Sequence, residues 1–336
     1  LIDNANNLSV QSDQSLSSEE KEQQAIRDVK DEILSSFTTN FDNNRRTVNR
    51  AEIVSLPIFC SSLIRLLNVE EIVSLMKDKS IESDRKKIMW HNMKIMSLTR
   101  VVSGAFNLSI VHILLSLQIN IVSRYLLITH IDGSTLSVRK NYAKDPQQIE
   151  EERRNIIHLP QLVQQEFLKY GQHFVNGRGM EQLLVMVRKA CEPVFSKLKI
   201  HVSYSAKELA EILEGIKSKL IPQILPVLPS LVIPRDVPFQ DEENDEETEM
   251  KLAFMQCLND ELCDIFESKS CKGLWENCVN TTFGVLEKHL ESMIHDIKLA
   301  RSQCLLANLI PNITKEITIM FMNDPKNNYL VELAEN

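Results

Sequence analysis

From Lys86 to Ile128 the chain contains no proline and a single glycine, Gly104. The absence of breakers predicts one very long helix. Inside it, Val101 to Leu127 carries no acidic residue and only Arg124 as a fixed charge, so most of this segment is withdrawn from water. A segment of that kind either crosses a membrane or forms the centre of a large helical bundle. Ser103, Asn107, Ser109, His112, Ser116, Gln118 and Asn120 are spread through it, and several would sit near mid-bilayer. A bundle can offer them hydrogen-bond partners and hydrocarbon cannot. The expectation is therefore a buried central helix rather than a span.

The flanking sequence fits an all-α fold. Apolar residues recur at helical spacing from Ser18 to about Asn44 and from Ile53 to Leu67, and Asn68 with Glu71 can cap a third helix ending near Lys77. A loop is expected from Asp78 to Arg85, and another from His130 to Asp145 around Asp132-Gly133. Further helices are expected at about 146–152, 159–175, 180–198, 206–220, 248–268 and 273–297. Residues 1–18, rich in Ser, Asn, Gln and Asp, read as a flexible leader. Residues 19–336 read as one helical-bundle domain, with a mobile loop at about 222–247. Five prolines, Pro222, Pro226, Pro229, Pro234 and Pro238, followed by the acidic run Asp241 to Glu247, set that loop apart.

Composition removes several functions. With 336 residues, 43% of them hydrophobic, the chain can bury a large core. A net charge of −8 lacks the electrostatic footprint of a nucleic-acid binder. The seven cysteines, Cys60, Cys191, Cys257, Cys263, Cys271, Cys278 and Cys304, form no CxxC pair and no zinc-like framework, which points to free thiols in a reducing compartment. His289 and His295 are six apart and do not share a helix face, and His112 reads as a core histidine held by a neighbour. No nucleotide-binding, zinc-protease, nucleophile-elbow or calcium-loop motif is present. No cofactor, metal or catalytic group is expected.

What remains is binding chemistry. Leu75, Met76, Lys86, Lys87, Ile88, Met89, Trp90, Met93 and Met96 gather methionine and aliphatic side chains around one of two tryptophans. Such a cluster packs a core, or it lines a groove for an amphipathic helix with lysine stems at its rim. Spacing leaves both readings open.

Three ordered segments carry a resemblance. Phe41-Asp-Asn-Asn-Arg-Arg-Thr-Val-Asn49 resembles the FxxNxRTxN segment of animal peroxin-3 proteins. Lys87 to Arg100 is similar to their stretch built on W-x-x-[LM]-K-[IL]-x-S-[FL]-T-R, and Val111 to Ile121 with Tyr125 is similar to their LLRVQLNI-x-x-x-Y block. Weaker similarity extends through Trp275-x-x-Cys-Val-Asn280 to Leu309-Ile-Pro311 and covers most of the chain beyond residue 20. The resemblance implies an elongated helical bundle facing the cytosol, anchored in the peroxisomal membrane by an N-terminal segment outside this sequence. It also implies a docking receptor for peroxin-19, the carrier of newly made peroxisomal membrane proteins. Carried over residue by residue, the implied partner-binding positions are Met76, Lys86, Trp90, Asn120 and Leu126, with Met93 from the surrounding cluster. Ser123-Arg124 departs from the two glycines common in animal members, and the loop between Met76 and Lys86 is longer. The competing reading is a helical scaffold without a peptide groove.

Overall fold

Residues 83 to 140 form one α-helix of 58 residues. The computed structural model describes residues 17–35, 37–141, 158–234, 246–297 and 303–335, together with Gln147, Glu151 and Phe239. The elements are α1 (Ser18–Ser35), α2 (Phe37–Leu66), α3 (Val69–Met76), α4 (Ser83–Lys140), α5 (Gln161–Leu168), α6 (Tyr170–Asn176), α7 (Arg178–Phe195), β1 (Ser203–Ser205), α8 (Ala206–Ile224), a 3-10 turn (Leu225–Val227), α9 (Leu228–Val232), α10 (Glu246–Glu267), α11 (Lys269–Ile297), β2 (Gln303–Leu305), α12 (Leu306–Met320) and α13 (Asn328–Ala334). The all-α class holds, with one short antiparallel pairing of β1 and β2. The expected leader lies largely outside the described residues, as do 235–238 and 240–245 of the expected loop.

Two compact units divide the chain, one made of residues 1–44 and 120–161, the other of 45–119 and 162–336. In the larger unit, Val101 to Ile119 of α4 is buried except for His112, Ser116 and Leu117, which are half-buried. Phe106 meets Trp275 and Phe283 of α11 at ring-centroid distances of 6.1 and 5.5 Å. Gly104 lets α12 approach, since an added Cβ would lie 2.5 Å from Ile317 Cδ1 and 2.9 Å from Met320 Sδ.

Most polar side chains of α4 find a protein partner, although Thr99 Oγ1, Asn107 Oδ1 and Gln118 Oε1 are buried without one among the described residues. Ser103, Asn107 and Ser109 donate to carbonyls one turn back, those of Thr99, Ser103 and Ala105. Gln118 donates to the Phe167 carbonyl. His112 Nδ1 lies 2.6 Å from Oε1 of buried Glu52 on α2. Lys94, itself buried, donates to the carbonyls of Ser196 and Leu198 just past α7, at 3.3 and 2.5 Å. Asn107, the first residue of one N-x-S sequence, is fully buried and out of reach of glycosylation.

Several boundaries differ from expectation. α4 runs through Asp132-Gly133 to Lys140 where a loop was expected. One glycine in a helix costs only about 1 kcal/mol relative to alanine, less than a long flanking helix supplies. α8 continues through Pro222, and Pro226 and Pro229 take first-turn positions of the 3-10 turn and α9, where a missing N–H costs nothing. Residues 222–232 are thus helical, and Leu228, Leu231 and Val232 are buried. At the N-terminal side, α2 bridges the gap expected between Asn44 and Ile53, carrying Pro57 within it.

Candidate partner-docking site

The site is built on the hairpin of α3 and α4. Asn68 caps α3, its side chain accepting from Glu71 N at 3.1 Å and donating to Glu71 Oε2 at 3.3 Å, as the sequence led us to expect. The start of α3 is then clamped to α4 by Arg100. Its guanidinium is fully buried and donates bidentately to the Glu70 carboxylate, with both distances 2.9 Å, and also to the carbonyls of Leu67 and Thr314. Burial pushes the Glu70 carboxyl up, but the hydrogen bonds and charge of Arg100 outweigh it and hold the group below its usual range. The start of α3 is thus fixed to α4, and only residues 77–82 join Met76 to the first turns of α4.

There Lys86, Met89, Trp90 and Met93 fall at i, i+3, i+4 and i+7, on one face of α4. Burial deepens along that face: Lys86, Met89 and Trp90 are half-buried, while Met93 is only 4% exposed. On α3, Ile72, Val73 and Met76 are half-buried and Leu75 is exposed. The two tryptophans therefore differ. Trp275 is fully enclosed in the core, whereas Trp90 is half-buried, and neither indole N–H has a protein acceptor among the described residues. Lys86 lies beside Asp78, whose carboxyl is held low first by hydrogen bonds with Ser80 and further by that lysine. Lys87 pairs with Asp84 at 2.9 Å on the exposed side.

Asn120 and Leu126 belong to the other unit. Asn44 Nδ2 donates to Asn120 Oδ1 at 3.1 Å, and Ser123 Oγ donates to Asn44 Oδ1 at 2.9 Å, so Asn120 joins α2 to α4. Leu126 is half exposed at 50%. Ser123 thus completes a hydrogen-bond chain with Asn44 and Asn120. Arg100 and Asn44 stood in the recognised segments without an assigned role, and their structural work is visible only once their partners are placed.

Other chemistry is sparse. Among the described residues no group of three or more His, Cys, Asp or Glu side chains is placed to hold a metal ion. Burial pushes the Cys271 thiol up to about 11, and Cys191 and Cys278 up to about 12, which keeps them protonated and unreactive at neutral pH.

Comparison with known proteins decides the family. The Peroxin-3 family model matches residues 3–336. The chain belongs to the Peroxin-3 family. Among curated relatives, it is similar to "Peroxisomal biogenesis factor 3" of Rattus norvegicus, 27% identical over 179 residues that cover 53% of this chain and 42% of the relative. The protein of the same name from Homo sapiens is 25% identical over 202 residues, covering 58% of this chain and 48% of the relative. The matches thus reach across about half the length of these peroxin-3 relatives, and the helical structure agrees with the expectation drawn from the family's segments.

Proposed function

We propose that this chain is a non-catalytic docking receptor at the peroxisomal membrane, its bulk facing the cytosol, and that it binds an N-terminal amphipathic helix of peroxin-19. The observation that carries the proposal is the partial exposure of Trp90 on the Lys86–Met89–Trp90–Met93 face. A half-buried tryptophan with an unused donor, fixed between a lysine rim and a methionine floor, suits the apolar stripe of an incoming helix. In this proposal Met76 and Trp90 contact the partner, Lys86 attracts its acidic edge, and Met93 supports Trp90 from beneath. Asn120 and Leu126 are proposed as contact residues within their own unit. Membership of the Peroxin-3 family supports the choice of partner. No cofactor enters the proposal.

Titration of a labelled peroxin-19 N-terminal peptide into wild type and Lys86→Glu tests it. The peptide should bind wild type, and the substitution should weaken association and flatten its salt dependence, because a rim charge acts mainly on the encounter. Absence of binding by a folded wild-type chain would contradict the proposal.

A further inference from the structure

A second surface lies on α2, away from the Trp90 face in sequence and independent of that reading. The inward side of α2 carries Val48, Glu52, Leu56, Phe59 and Leu63, all buried. Its outward side carries Arg46, Arg50, Val54, Pro57, Ile58, Ser61 and Arg65, all exposed, and all within one sector at about 100° per residue. Val54 is 73% exposed and Ile58 40%. The sector is about 28 Å long from Arg46 to Arg65 at a rise of about 1.5 Å per residue. Its centre is apolar and its two ends are arginine.

Charge makes this sector unusual for the chain. The protein as a whole is at −8, yet between Arg45 and Leu66 the one carboxylate is Glu52, which is buried against His112. Arg46, Arg50 and Arg65 have no ion-pair partner among the described residues. Three unpaired guanidiniums bracketing an exposed Val-Pro-Ile patch form a surface complementary to one kind of occupant. We infer that the outward face of α2 docks an amphipathic helix of a partner protein that has an apolar centre and carboxylates toward both ends.

The alternatives fit less well. A second copy of this chain would set arginine against arginine in either orientation. A bilayer would gain only Val54, Pro57 and Ile58, with no aromatic side chain to seat at the interface. Arginine, rather than the compact ammonium of lysine, is suited to fixed bidentate contact with carboxylates.

The test uses the full chain and two synthetic helical probes of about twenty residues, matching the sector's length. Both carry a Leu/Ile centre, one with glutamates and the other with lysines on the same face at both ends. Fluorescence anisotropy should show the acidic probe binding at least about tenfold more tightly than the basic one, with the gap narrowing in high salt. Arg50→Glu/Arg65→Glu should reverse that preference, a gain that misfolding cannot mimic. Val54→Ser/Ile58→Ser should weaken both probes about tenfold or more through lost apolar contact, while Trp90→Ala should leave them unchanged. Equal binding of the two probes would overturn the inference. So would a charge-swapped variant that keeps the wild-type preference, or sensitivity to Trp90→Ala. Adsorption to phosphatidylcholine/phosphatidylserine vesicles that these α2 substitutions abolish, without discrimination between the probes, would assign the face to a membrane instead.

Discussion

Arg100 concentrates the physics of the central helix in one side chain. It is the last residue of the segment Lys87 to Arg100, stands one position before the acid-free run, and is fully buried. Its cost of desolvation is offset by Glu70 and two carbonyls. Arg100→Leu should destabilise the fold by roughly 3 kcal/mol, because the carbonyls of Leu67 and Thr314 lose their donor in a dry site. Glu70 sets a pH dependence of definite sign. Its folded pKa lies below the ordinary 4.5, so its contribution is complete above 4.5 and is lost as pH falls from there through the lower folded value. The side chain is half exposed, which keeps that contribution small. Melting temperatures of wild type and Glu70→Gln should therefore converge as pH drops below 4.5. A constant difference down to pH 2 would contradict the clamp.

At the scale of elements, the sequence was most legible where burial and backbone chemistry agree. The central helix, the Asn68 cap and the His112 pairing follow from pattern and residue type alone. α8 continues past Pro222 because Ile224, Leu228 and Leu231 pack in the core, which local propensity does not contain, whereas α4 continues past Gly133 with no buried residue there, carried by the helix that precedes it. The two glycines of α4 separate these effects. At Gly133 nothing lies within 4 Å of an added Cβ, so Gly133→Ala should stabilise by about 0.5–1 kcal/mol through the unfolded chain's entropy. At Gly104 the Cβ would press on Ile317 and Met320, so Gly104→Ala should cost about 1–3 kcal/mol despite the better propensity. Denaturant midpoints for the two variants should move in opposite directions.

The whole molecule shows why the recognised segments reveal membership better than mechanism. Asn44, Arg100, Gln118 and Trp275 come from those segments or the similarity beyond them, and each is held by packing or by hydrogen bonds inside its unit. Spacing could not tell Met93, which is buried, from Trp90, which stays partly open. Burial also sorts the thiols. Cys257 is exposed, while Cys60 and Cys263 are partly covered and their thiols pushed up, chiefly by that burial. A disulfide reagent at pH 8 should therefore modify one cysteine quickly in the native protein and all seven after denaturation. Rapid native modification of four or more would show a looser interior than described.

The central claim, that Trp90 belongs to a partner-binding face, is tested most directly by calorimetric titration of the peroxin-19 N-terminal peptide into wild type and Trp90→Ala, each with its melting curve. A tryptophan central to a helix-docking face carries a large share of the binding energy, so the substitution should cost about 2–4 kcal/mol, roughly a 30-fold to 1,000-fold loss of affinity. The melting temperature should change little, because Trp90 is only half-buried. Unchanged affinity in a folded Trp90→Ala chain would contradict the account. A collapsed melting temperature would return Trp90 to the core and leave a helical scaffold in place of a receptor.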